Sequence, residues 1–284
     1  MQHTTDEGVT LQLYLQRQGN GEPLVILHGL FGSFDNWGSV SKRLSAKAEF
    51  NLEVISLDLR NHGNSPHTAE MSYASMADDV AETLIKEGVE HYHLLGHSMG
   101  GKVAMTLAQQ PNDRRHSKLS LRSLIVVDIA PRQYQPTHLE IIAALQTLDL
   151  NIVKSRSDAN ERLSDAIPSL EIRQFILKNL YRDQQGAYAW KLNLAAIAAA
   201  YDALLVNPLS NDTAPCDTPT LLIRGADSNY VAEADLTGFR HYFPALSIHT
   251  VAGAGHWPHA SHTQETMTAI TTFLNGQQQL RSGI

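Results

Sequence analysis

The segment Gly96-His97-Ser98-Met99-Gly100, followed by Gly101, sets a serine between glycines. It stands directly after an apolar run ending at Leu95 and directly before a helical pattern. A serine on such a strand–turn–helix elbow is held out where its hydroxyl can attack an acyl carbon. Glycines two before and two after it keep side chains from clashing in a turn tight enough to strain the backbone. The helix N-terminus offers N–H groups to a developing oxyanion, which makes the Met99 N–H a candidate donor. A second apolar run stops at His28-Gly29-Leu30-Phe31-Gly32-Ser33. The turn there can aim another donor at the same point: the Leu30 N–H, or that of Phe31 if the turn is one residue longer.

A serine needs an imidazole beside it to become nucleophilic. The chain has 14 histidines, so most must be bystanders. Where a serine sits on such an elbow, the histidine comes last in chain order, after a strand. Val251-Ala252-Gly253-Ala254-Gly255-His256-Trp257 fits, which makes His256 the candidate base and His259 its alternative. His256, His259 and His262 also invite a metal reading, but Pro258 interrupts any helix and no carboxylate or cysteine joins the spacing, so no metal is expected. The His97 side chain is expected to point away from the serine. His28, His62, His91, His93 and His249 read as packing or surface groups.

The orienting acid has two candidates. Asp227 follows the apolar segment Thr220-Leu221-Leu222-Ile223-Arg224, but the position three after Gly225 is Ser228. Asp128 closes Leu124-Ile125-Val126-Val127, and a carboxylate ending an apolar strand lies where ligands bind in open α/β sheets. Such a buried charge needs a partner, which an imidazolium would be. Asp128 is preferred and Asp227 stays open.

The elements that position these groups are short. Leu24–Leu27, Val54–Leu57, His93–Leu95, Leu124–Val127, Leu221–Ile223 and Leu246–Val251 read as strands of a parallel sheet, with alternating Thr10–Leu15 as an outer strand. Helical patterns lie between them: Ser72 caps one carrying Met76, Val80 and Leu84, which Gly88 ends. Another runs from Lys102 toward Pro111, and Thr263–Leu274 is the last. From Pro131 to Pro215 no strand is evident, only helical patches, so this stretch reads as a helical insertion. The expected organisation is a core of 1–130 and 216–284 with a cap at 131–215. The stretch Pro111–Ser120 reads as a solvated loop.

Composition narrows the classes. The 284 residues are 43% hydrophobic, with Lys+Arg 22 against Asp+Glu 29 and a net charge of -7. That argues against a basic nucleic-acid groove. No run approaches the roughly 18 apolar residues of a membrane span, and the first residues show no signal-peptide pattern. The single cysteine, Cys216, cannot form an internal disulfide. A cytoplasmic protein is expected, with no nucleic acid or membrane partner, as a monomer or weak homodimer.

The motifs resemble the α/β-hydrolase superfamily, and within it the small bacterial YbfF-type esterases. The marks are HGLFGS at His28–Ser33, DLRNHGNS at Asp58–Ser65, GHSMGGK at Gly96–Lys102, VDIAP at Val127–Pro131 and AGHWPH at Ala254–His259. The resemblance implies a mostly parallel, doubly wound sheet with a helical cap inserted after the sixth strand. It implies Asp128 as the acid, Ser228 as an auxiliary hydrogen-bonding residue, and no cofactor. Asp227 beside Ser228 is a departure whose contribution stays open.

The expected chemistry is hydrolysis of carboxylic esters, or acyl thioesters, through an acyl-enzyme, and the resemblance implies acyl chains of short to medium length. Ser98 is the nucleophile, His256 the base, Asp128 the orienting acid, and the Leu30 and Met99 N–H groups form the oxyanion hole. Phe175, Tyr181 and Trp190 are candidate acyl-pocket residues, with plain cap packing as the alternative for each. A cofactor-free haloperoxidase or carbon–carbon hydrolase would share the triad, and a slow-turnover ligand receptor could retain it.

Overall fold

The computed structural model describes residues 10–47, 50–110 and 117–282. The apolar runs become strands β1 (Leu15–Gly19), β2 (Glu22–Leu27), β3 (Leu52–Leu57), β4 (His91–His97), β5 (Ser120–Val127), β8 (Thr220–Gly225) and β9 (Leu246–Val251). They form one sheet in the order β1-β3-β2-β4-β5-β8-β9, antiparallel only at β1. Successive side chains of a strand point to opposite faces. Val25 and Leu27 therefore join one core, with Leu94, Leu124 and Val126, while Leu24 and Ile26 join the other, with Leu95, Ile125 and Ile223. Each fully buried leucine or isoleucine contributes about 1.5–3 kcal/mol, which explains why the runs are apolar on both faces.

Helices cover the two faces. α2 (Tyr73–Lys86) and α3 (Met99–Ala108) bring Met76, Val80, Leu84 and Val103 to the first core. α1 (Gly38–Ser45) and α10 (Thr263–Ser282) bring Leu44, Ile270 and Leu274 to the second. As the sequence predicts, the Ser72 side chain caps α2, accepting from the Ser75 N–H, and Gly88 leaves it with φ +70°. Such a cap is worth about 1 kcal/mol. The last helix runs on to Ser282 rather than stopping near Leu274.

Between β5 and β8 the chain leaves the sheet. It forms α4 (Leu139–Thr147), α5 (Arg156–Arg162), α6 (Leu170–Ile176), a hairpin of β6 (Leu180–Arg182) and β7 (Tyr188–Trp190), and α7 (Leu194–Leu205). It returns before β8, which pairs directly with β5. α8 (Asp235–Tyr242) joins β8 to β9, and the short α9 (Pro258–Ser261) precedes α10.

Three expectations are corrected. The excursion is not free of strands, because β6 and β7 pair over three residues each. It follows the fifth strand in chain order among the described residues, not the sixth. Residues 10–14 are not a strand: the Leu11 and Leu13 N–H groups donate to the Asp79 carboxylate and the Thr83 hydroxyl of α2, so the segment lies along that helix. Most of the Pro111–Ser120 loop lies outside the described residues.

Candidate active site

Ser98 stands between β4 and α3 with φ +52° and ψ -119°, a strained conformation for a residue with a side chain. The turn closes only because its neighbours are glycines. A Cβ on Gly96 would meet the Gly100 carbonyl oxygen at 2.2 Å, and one on Gly100 would meet the His28 oxygen at 2.5 Å. The Ser98 N–H donates to Val127 O at 3.0 Å, tying the elbow to the end of β5.

The loop after β9 carries His256 to this point. Its Nε2 lies 3.0 Å from Ser98 Oγ and its Nδ1 lies 2.8 Å from Asp128 Oδ2. Because the carboxylate can only accept, Nδ1 carries the proton and Nε2 faces the hydroxyl as an acceptor. Asp128 is fully buried at the end of β5 with φ +50°. Its other oxygen accepts the Gly225 N–H at 2.9 Å, and the Ser228 hydroxyl donates to Oδ2. The charge thus meets three donors, as a buried carboxylate requires. The Tyr230 ring stacks on the His256 imidazole with centroids 3.6 Å apart.

Asp227 does not join this cluster. It is exposed, its N–H donates to Ala254 O, and among the described residues its carboxylate makes no hydrogen bond or ion pair. Ser123, a buried serine of β5, contacts His93 Nδ1 rather than His256. His259 is buried and stacked on Trp37 at 4.2 Å, while His262 contacts the Ser261 hydroxyl. The three C-terminal histidines therefore diverge, and no group of metal-ligating side chains occurs among the described residues.

Leu30 and Met99 line the same cavity as Ser98. Met99 opens α3, where an N–H has no carbonyl within the helix. Leu30 follows the end of β2, and among the described residues its N–H has no protein acceptor. The Phe31 N–H is taken by His62 Nε2 at 3.3 Å. Phe31 itself has φ +59°.

Two of the histidines read as packing or surface groups, His28 and His62, are buried and build this loop. His28 Nε2 accepts the Leu59 N–H at 3.0 Å while its Nδ1 donates to Gly29 O. His62 donates through Nδ1 to Arg60 O. Both are buried, and desolvation lowers His28 to about 4 and His62 to about 3, so each is a neutral, tautomer-defined strut. The Asp58 carboxylate accepts the Phe34 and Asn64 N–H groups, joining the same two loops. Nothing in the types or spacing of these residues separates a strut from a surface histidine.

A cavity of about 520 Å³ opens over Ser98, walled by Phe31, Ile141, Ile172, Phe175, Ile176 and Trp257 on its apolar side. Phe175 lines it, but Tyr181 is exposed and Trp190 packs against the first core without lining the cavity. Lys102 also lines it, and its buried side-chain nitrogen donates to Leu205 O and Val206 O at the end of α7.

Residues 24–269 match the model of the "Alpha/beta hydrolase family". The chain is 37% identical over 257 residues to the mouse "sn-1-specific diacylglycerol lipase ABHD11", covering 88% of this chain and 80% of that protein. It is 33% identical over 262 residues to "Esterase YbfF" of Escherichia coli K12, covering 92% and 96%. Among solved structures it is similar to a "Marine microorganism esterase", with TM-score 0.86 and 36% identity over 93% of this chain and 100% of the other.

Proposed function

Because the chain belongs to the alpha/beta hydrolase family, we propose that it hydrolyses carboxylic esters through an acyl-enzyme formed on Ser98. The carrying observation is the unbroken chain Ser98 Oγ, His256 Nε2, His256 Nδ1, Asp128 Oδ2, with contacts of 3.0 and 2.8 Å. The names of the relatives, esterases and a lipase, support the reading.

Each group has one task. His256 takes the Ser98 proton as oxygen attacks the acyl carbon, then gives it to the leaving alcohol. Asp128 fixes the tautomer and stabilises the imidazolium. The Leu30 and Met99 N–H groups receive the oxyanion, and Ser228 and Gly225 hold the acid in place. Water activated by His256 releases the acyl group. The whole scheme runs on side chains and main-chain donors of this chain.

The apolar wall sets the acyl preference. Each buried methylene is worth about 0.8 kcal/mol, so kcat/KM rises with chain length until the cavity of about 520 Å³ is filled. Short to medium chains fit such a cavity. A panel of p-nitrophenyl esters tests this: activity that does not peak with chain length contradicts it. The nucleophile is tested with a fluorophosphonate. Mass spectrometry should find the adduct on Ser98, and labelling that persists in Ser98→Ala overturns the assignment.

A further inference from the structure

His97 is the last residue of β4 and immediately precedes the nucleophile. It is 4% exposed, and its ring lies 4.8 Å from the His256 ring, 4.6 Å from His259 and 6.5 Å from Trp37. Its Nε2 stands 2.9 Å from the main-chain oxygen of His256. A carbonyl can only accept, so Nε2 must carry the proton. Burial, reinforced by His259 and His256, holds the imidazole well below its ordinary pKa, so it is neutral.

Upstream of His256 the loop is tied to the end of β8, where the Asp227 N–H donates to Ala254 O and a Cβ on Gly225 would lie 2.3 Å from the Ala254 and Gly255 oxygens. Gly253 has φ +69°, and a Cβ on Gly255 would meet nothing. The bond from His97 is the one hydrogen bond to the His256 main chain among the described residues. On its other side His97 meets the turn after β2: a Cβ on Gly29 would lie 3.0 Å from His97 Nδ1 and 3.2 Å from Ser98 Cβ.

We infer that His97 is a positioning residue that sets the His256 main chain against Ser98 by donating its Nε2 proton to the His256 carbonyl. Asp128 fixes how the imidazole is turned, and His97 fixes where the loop that carries it stands. This inference rests on the proposed roles of Ser98 and His256. A donor at the same place should substitute for it, whereas apolar bulk should not.

The test compares His97→Met with His97→Gln on a neutral p-nitrophenyl ester. Misplacing a catalytic group by about 1 Å costs about 100-fold. The methionine variant should lose about 10- to 100-fold in kcat with KM held within about threefold. The glutamine variant, which can present an amide N–H at similar reach, should recover most of that loss. Equal kcat in the two variants at matched thermal midpoints overturns the inference. If His97→Met does not fold, ring ¹⁵N shifts of the wild-type protein decide: a proton on His97 Nε2 supports the bond, and one on Nδ1 overturns it. Ser98→Ala separates the two levels. An active Ser98→Ala defeats the nucleophile itself, whereas an inactive one beside an unimpaired His97→Met defeats only the role of His97.

Discussion

The Ser228 hydroxyl donates to Oδ2 of Asp128, the same oxygen that takes the His256 Nδ1 proton. The acid comes from the end of β5, and the loop after β8 supplies a serine to hold it. Asp128→Asn should lower kcat about 10⁴-fold, because the amide favours the wrong imidazole tautomer. Ser228→Ala removes one hydrogen bond to a charged group, about 1.5–3 kcal/mol at most, and should cost roughly tenfold. Asp227→Asn should stay within about twofold of the wild type, as expected for an exposed surface change. Steady-state kinetics on one ester checks all three, and a large loss confined to Asp227→Asn would reverse the assignment.

The elbow makes a steric prediction. Gly96→Ala drives a Cβ into the Gly100 carbonyl, which is backbone and cannot swing aside. Overpacking of this kind costs about 1–3 kcal/mol or more. Gly255→Ala, beside the base but facing open space, should change stability by less than about 0.5 kcal/mol. Urea unfolding midpoints of the two variants should differ accordingly.

Lys102 clamps the excursion to the core. Its side-chain nitrogen holds Leu205 O and Val206 O, the Tyr73 hydroxyl holds Leu204 O, and the Tyr134 N–H also reaches Leu205 O. Lys102→Met leaves Val206 O without its donor and Leu205 O with only the Tyr134 N–H, near a helix end where a cation is favourable. The expected outcome is faster limited proteolysis within residues 131–215 and a KM that rises more than kcat falls. An unchanged cleavage rate would contradict the clamp.

Stability should fall in mild acid. Burial lowers His28 to about 4 and His62 to about 3, below the unfolded value of about 6.5. Between these limits the unfolded chain binds more protons, so stability is complete above about pH 6.5 and declines as pH drops. Each such histidine contributes up to about 1.4 kcal/mol per pH unit. Urea midpoints at pH 7.5 and pH 5 should diverge, and His62→Gln should narrow the gap.

The local part of the site is legible in the sequence. Ser98 and Met99 lie in one contiguous motif, and His256 follows its strand within a glycine-rich loop. The residues prefer Asp128, which closes its apolar run, but leave open Asp227, which follows its own run by three residues. The difference is made by the register of β5 on β8, which sets the Gly225 N–H and Ser228 hydroxyl on Asp128 across 97 and 100 residues. Three-residue strands such as β6 and β7 are too short to show a period. Thr10–Leu15 alternates convincingly, yet Asp79 and Thr83 claim its N–H groups, a long-range competition that pattern cannot display.

The excursion between β5 and β8 also fixes a sequence of events during synthesis. Ser98 and Asp128 emerge first, at the ends of the adjacent strands β4 and β5. His256 waits until the excursion, β8 and β9 have all been translated and the sheet has added its last two strands. Chains emerge N-terminus first, and a domain generally folds as a unit. A nascent chain therefore carries its nucleophile through most of its elongation in an inert form, and hydrolysis is among the last properties it acquires.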